Sequence, residues 1–177
     1  MNFIIAQILG IVVTIICIIM THFKKMSHVL VSEFAANALT AVQYFILGGI
    51  SGSYMCIVAS VHTFVMTALN KYCKNNIRIK RNIIFGIFIS IYLLIAVLLY
   101  SGIRDIFSII SSVLFSFMVV QSKSSKYRAL NLIKTFSLLF YDLYTHAFTN
   151  IFTRLFTAIS CSMAICRLDL NVKLKKV

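Results

Sequence analysis

Residues 3–21 read FIIAQILGIVVTIICIIMT, and residues 22–25, which follow, read HFKK. An uncharged run of 19 residues closed by paired lysines decides how the rest of the chain is read. A helix rises about 1.5 Å per residue and a bilayer core is about 30 Å thick, so roughly 20 mostly apolar residues make one span. Six further stretches have similar length: His28–Leu47, Ser51–Asn70, Ile83–Tyr100, Ile103–Val120, Arg128–Ala147 and Thr149–Arg167. Buried strands are the competing reading for runs so rich in Ile, Val, Phe and Tyr, but strands end after about four to eight residues. Lipid offers the backbone no hydrogen-bond partners, and helices satisfy their own amides. The expected fold is all-α, a polytopic bundle of seven transmembrane helices.

Charge orients the bundle. Of 17 Lys and Arg, 14 fall in four places: Lys24 and Lys25; Lys71, Lys74, Arg78, Lys80 and Arg81; Lys123, Lys126 and Arg128; and Arg167, Lys173, Lys175 and Lys176. With seven spans, all four places lie on one side of the membrane. Basic residues stay cytoplasmic during insertion, so the amino terminus is expected outside and the carboxyl terminus in the cytoplasm. The opposite side carries Arg104 beside Asp105, with Arg154 a turn into the last stretch. A net charge of +13 would suggest nucleic acid in a soluble protein, yet here it sits where topology requires it. No nucleic-acid partner is expected. The lipid bilayer is the partner, with anionic headgroups drawn to the basic loops.

A mean hydropathy of +0.96 with 60% hydrophobic residues leaves no room for an ordinary soluble domain. Residues 1–177 read as a single integral membrane domain. The first stretch has no positive residue before its apolar run and no small-x-small cleavage pattern after it, so it is kept as a helix. The remaining order is three, one, three: a first three-helix repeat over 1–72, a linker helix over 83–100, a second repeat over 103–167 and a basic cytoplasmic tail over 168–177. A shift of 100 residues superimposes the triplets without a gap, with Tyr44 on Tyr144 and Ser60 on Ser160. With one helix inserted, both triplets face the same way, a parallel repeat about the membrane normal.

The first half reads AQILGIVVTIICIIMTHFKK (6–25) and then ANALTAVQYFILGGISGSYMCIVASVHTFV (36–65); the second half holds YDLYTHAFTNIFTRLFTAISCSMAICR (141–167). These segments resemble the YgjV-type bacterial inner-membrane protein family, in which an aromatic-rich helix ends at a Leu-Gly turn before a third helix. Sequences of this type are similar, more distantly, to the SWEET and PQ-loop carriers. That resemblance implies the bacterial inner membrane, a three-one-three plan and a carrier of small metabolites. The chain departs from PQ-loop carriers in having no proline to kink its helices; Gly10, Gly48, Gly49 and Gly52 are the available flexible points.

Ionisable groups inside a bilayer cost about 2.5–3.5 kcal/mol on insertion scales, so each needs a partner or a wet cavity. Asp142, late in the sixth stretch, either faces a central cavity or pairs with Arg154 at the outer end. His62, midway along the third, either relays protons and donates to a solute or bonds a neighbouring helix. Asn37 and Gln43 are six residues apart and so on faces separated by roughly 120°; the deeper Asn37 is the better cavity candidate, an interhelical amide clasp being the alternative. Tyr44 and Tyr141 are candidate stacking walls, although an interfacial aromatic belt places Tyr44, Phe45, Tyr141, Tyr144 and Phe148 similarly. Glu33 and Lys134 occupy nearly equivalent places in the two triplets and are expected to pair across the bundle, solvation by snorkelling being the alternative. Gly48-Gly49-Ile50-Ser51-Gly52 reads as a tight turn.

No P-loop, metalloprotease helix, nucleophile elbow or paired carboxylates appear, so the chain is not expected to be an enzyme. The five cysteines lack metal spacing: Cys17, Cys56, Cys161 and Cys166 lie in apolar stretches and Cys73 in a cytoplasmic loop. No disulfide, metal or cofactor is expected. The leading function is a small-metabolite carrier or facilitator with its cavity between the triplets, lined by Asn37, His62 and Asp142. The alternative is a non-transporting membrane accessory or structural subunit.

Overall fold

A computed structural model describes residues 2–72, 77–100, 102–121, 123–145 and 147–170. Those residues form seven α-helices: α1 Asn2–Thr21, α2 Met26–Ile46, α3 Ile50–Tyr72, α4 Ile77–Leu99, α5 Ile103–Val119, α6 Ser124–Tyr144 and α7 Phe148–Ala164. A wider π-type turn, Ile165–Leu170, continues α7. The fold is all-α, as the sequence implies. Helix α4 begins at Ile77, six residues before the apolar run, so Lys80 and Arg81 belong to a helix end and not to a loop. Cys73, Lys74 and the tail lysines Lys173, Lys175 and Lys176 lie outside the described residues.

Five helical stretches are long and apolar enough to cross a membrane: Phe3–Thr21, Met26–Ile46, Ile50–Tyr72, Ile79–Leu99 and Phe148–Leu168. Helix α5 is shorter, and α6 is too polar by composition because it buries Arg128, Asn131, Lys134 and Asp142. Its other face, with Ile133, Phe136, Phe140 and Leu143, is exposed and apolar. The described outer surface is largely apolar, while the interior mixes apolar and polar side chains. Ile4, Ile8, Ile11, Ile15 and Ile19 lie open along α1, whereas the interior of the bundle holds many Ser, Thr and ionisable residues. Water would not sustain that arrangement; a lipid surround does.

Packing joins α1 to α2, α2 to α3, α3 to α5, α5 to α6, α6 to α7 and α7 back to α1, so six helices close a ring. Helix α4 leans on α3 and α5 through Phe88, Tyr92 and Ala96, spaced one turn apart, with much of its remaining surface outward. The α1–α7 seam is stitched by Thr14 to Thr153 at 2.5 Å and, two turns on, Thr21 to Ser160 at 2.7 Å. Both numbers rise together along that seam, so these helices run parallel. On the basic side, the Ser124 hydroxyl donates to the Lys24 carbonyl (3.2 Å), setting the first and third basic connections side by side.

Helix α2 ends in a Schellman motif. Gly48, at φ +78°, donates to the Phe45 carbonyl, and Gly49 donates to the Tyr44 carbonyl, satisfying the last open carbonyls. The end of α6 repeats the longer of these bonds, from the Ala147 N–H to the Asp142 carbonyl. Helix ends recur at an offset of 98: Met26 and Ser124 open α2 and α6 (124 − 26), Ile46 and Tyr144 close them, and Ile50 and Phe148 open α3 and α7. Burial follows the same offset. Val29, Leu30, Glu33, Ala36, Gln43 and Tyr44 are buried in α2; so are Tyr127, Arg128, Asn131, Lys134, Tyr141 and Asp142 in α6. The recurrence is therefore at 98 and not at the 100 that sequence identities suggest. Tyr44 is buried and Tyr144 exposed, because they are not equivalent positions.

Candidate functional site

Two ion pairs sit inside the ring. The Lys134 ammonium donates to Glu33 Oε1 at 3.0 Å, and the Tyr127 hydroxyl donates to Glu33 Oε2 at 2.7 Å. Both oxygens of the carboxylate are thus held by α6 while the residue itself belongs to α2. Nearer the other end, Arg154 Nε donates to Asp142 Oδ2 (3.1 Å), and the Tyr44 hydroxyl donates to Asp142 Oδ1 (2.5 Å). Asn150 adds a longer contact to the same oxygen, 3.4 Å. A carboxylate in a low-dielectric interior is tolerable only when paired and hydrogen-bonded in this way. The expected Glu33–Lys134 pair is present, and Asp142 takes the arrangement with Arg154.

Two small cavities meet between these pairs. One, of about 30 Å³, is lined from α1, α2, α3, α6 and α7. Ten of its lining residues form five pairs at the offset of 98: Glu33 and Asn131, Ala36 and Lys134, Asn37 and Thr135, Thr40 and Leu138, Cys56 and Arg154. The other, of about 40 Å³, reaches towards α4 and α5 and is lined by Tyr92, Ser108, Ser111, Ser112 and Phe115 together with Tyr44 and Tyr141. Asn37, Cys56, Lys134 and Leu138 line both. Each has room for roughly two to four waters.

The family model of bacterial inner membrane proteins, Imp-YgjV, matches residues 4–171. The chain belongs to that family. No curated protein and no solved structure matches it. A bacterial inner membrane family and an inside-polar, outside-apolar bundle agree on the lipid setting.

Of the residues singled out from the sequence of this Imp-YgjV member, Asn37 lies where the cavities meet, and its amide nitrogen has no hydrogen-bond partner. Tyr44 and Tyr141 line the larger cavity and meet edge to face, with ring centroids 5.6 Å apart. They are buried, whereas Phe45, Tyr144 and Phe148 of the same region are exposed, as an interfacial belt requires. Ser51 donates its single hydrogen to Asp105 (2.7 Å), so the Tyr141 hydroxyl must donate to Ser51 (3.1 Å) while accepting from the Gly52 N–H (3.0 Å). Asp142 is fully buried and lines neither cavity.

His62 lines neither cavity. Its ring stacks on Phe88 with centroids 4.1 Å apart, close to Tyr92 and Phe115, and both ring nitrogens lack hydrogen-bond partners. Gln43, like Asn37 on α2, lies away from the cavities, as their angular separation predicts. Sequence reading missed Tyr127 as a ligand of Glu33 and missed the α5 serines. The signal was present: Ser108, Ser111 and Ser112 recur at helical spacing, one polar stripe on an otherwise apolar segment.

Proposed function

We propose that the chain carries a small polar solute across the bacterial inner membrane, and that its two three-helix units enclose the solute site. The observation that carries this reading is the cavity lined by five pairs of positions 98 residues apart. A site on a pseudo-two-fold axis, built from matching positions of two parallel repeats, is the plan of small repeat carriers. The resemblance to SWEET and PQ-loop carriers points the same way. Basic connections Lys24–Lys25 and Lys123–Lys126 put the amino-terminal ends of α2 and α6 on the cytoplasmic side.

In this reading α2 and α6 are latched twice. The inner latch is Glu33 with Lys134 and Tyr127; the outer latch is Tyr44 with Asp142. Glu33 and Tyr44 are 11 residues apart, hence about 16 Å along the helix, and the cavities lie between them. The arrangement is an occluded one, and transport opens one latch at a time.

Cys56 tests this directly, because its free thiol lines both cavities. With the other cysteines replaced by alanine, a membrane-impermeant maleimide is applied to spheroplasts and to inverted vesicles. Tyr44→Phe is expected to raise Cys56 labelling from the outer face only, and Tyr127→Phe from the cytoplasmic face only. Labelling indifferent to both changes would overturn the carrier. It would leave the accessory-subunit reading, which the small cavity volumes and the absent prolines favour.

A further inference from the structure

The larger cavity has a lopsided chemistry. Lys134 is the one charged residue among those that line it. Glu33 holds one ammonium hydrogen from the side of the smaller cavity and does not line the larger. An ammonium has three donors, so Lys134 keeps two for other acceptors, with the Phe115 ring 5.3 Å from its nitrogen. Two groups on other residues that line this cavity have no partner: the Asn37 amide nitrogen and the Tyr92 hydroxyl, in a residue only 1% exposed. Buried donors without acceptors are costly and uncommon, so two of them beside the spare hydrogens of Lys134 call for an acceptor in this cavity.

We infer that the solute is a small anion, a halide or a carboxylate no larger than acetate, held by Lys134, Asn37 and Tyr92 in the larger cavity. The inference rests on the carrier reading and names its cargo class. A cation meets Lys134 with no carboxylate in reach of the same cavity. A sugar exceeds the roughly two to four water volumes that 40 Å³ provides. A small anion supplies an acceptor to the Asn37 amide, the Tyr92 hydroxyl and the spare Lys134 hydrogens, and fits the space.

The test uses purified full-length protein in nonionic detergent, with bulky gluconate as the background anion. Sodium chloride, formate and acetate are titrated against the melting temperature, with glycerol as neutral probe and methylammonium gluconate as cationic probe. A ligand that binds only the folded state raises the melting temperature saturably. The expected result is a saturable rise with at least one anion and none with glycerol or methylammonium. Tyr92→Phe removes a hydroxyl that nothing in the fold uses, so it keeps the unliganded melting temperature and weakens anion binding by about three- to tenfold. Lys134→Gln alone would strand Glu33; combined with Glu33→Gln it removes both charges together and is expected to abolish the shift.

An equal rise with glycerol, or an anion effect that survives the double variant, overturns the inference. No shift with any anion, in a protein whose Cys56 labelling still responds to Tyr44→Phe and Tyr127→Phe, sinks the anion and leaves the carrier standing. No shift together with unresponsive labelling removes both.

Discussion

Helices α2 and α6 bury matching positions and carry opposite chemistry. Where α2 has Glu33, Ala36 and Tyr44, α6 has Asn131, Lys134 and Asp142 at the offset of 98. The same holds one helix on, where Cys56 of α3 corresponds to Arg154 of α7. Buried positions repeat between the two helices, but the charges do not. Two lysines or two glutamates facing one another across a two-fold axis would repel inside a low-dielectric bundle. An asymmetric distribution lets each charge find a partner of opposite sign. Burial thus recurs between α2 and α6 while charge does not.

The sharpest way to break this comparison is to treat equivalent positions alike. Arg154→Ala leaves the fully buried Asp142 without its counter-ion, and loss of one partner of such a pair costs about 3–5 kcal/mol. Cys56→Ala, at the matching position, removes one partly buried sulfur and should cost about 1 kcal/mol or less. Reversible unfolding in mixed micelles measures both. Equal costs would mean that Arg154 and Asp142 are solvated and that the electrostatic asymmetry is superficial.

Next in size is the Glu33–Lys134 pair. Lys134→Ala is expected to cost about 3 kcal/mol or more, and Glu33→Gln in the same chain should recover part of it. A coupling energy of about 1–3 kcal/mol in the double-mutant cycle marks direct contact. Additive costs would show that α2 and α6 are not joined there, and the inner latch would go with it.

A smaller effect tests the place where α3 meets α6. An alanine Cβ at Gly52 would lie 2.7 Å from the Tyr141 hydroxyl oxygen and 2.9 Å from its ring. Gly52→Ala must therefore displace Tyr141 and its bonds to Ser51 and the backbone, at about 1–3 kcal/mol. At Gly86, where a Cβ meets nothing within 4 Å, the same change should be neutral or slightly stabilising through helix propensity. A Gly52→Ala protein as stable as Gly86→Ala would show that Tyr141 is loosely held.

Five of the helices were legible because each leaves a long apolar run, α5 as a shorter one and α6 by its apolar outer face, and the basic connections because charge cannot hide in lipid. Glu33–Lys134 was legible from depth, since both lie near the same ends of spans that face each other across the ring. Depth is not azimuth, however. Asn37, His62 and Asp142 are all polar residues within apolar stretches, yet Asn37 meets the cavities, His62 faces α4 and α5, and Asp142 is enclosed by Tyr44, Asn150 and Arg154. A sequence does not record which way each helix is rotated when every neighbour is apolar. The repeat offset was hidden for a related reason: what recurs is burial, and in lipid burial is not marked by hydrophobicity. Tyr44 and Tyr144 share an identity and nothing else, while Tyr44 and Asp142 share a place.

His62 gives the smallest expected effect and the most exacting comparison, because its counterpart at the offset of 98 is Ser160. Ser160 is bonded, to Thr21 at 2.7 Å and within 3.2 Å of the His22 ring. His62 is buried among aromatic rings with both nitrogens unpartnered. Removing a buried polar group that makes no hydrogen bond relieves a desolvation cost, provided the replacement keeps its shape. His62→Phe should therefore change stability by less than about 1 kcal/mol, in either direction, because the ring still stacks on Phe88. Ser160→Ala leaves Thr21 without its cross-helix partner and should cost about 1 kcal/mol. Unfolding of both variants beside the parent protein decides the matter. A His62→Phe protein that loses several kcal/mol would place an acceptor or a water at that ring, and would return His62 to the set of groups that shape the site.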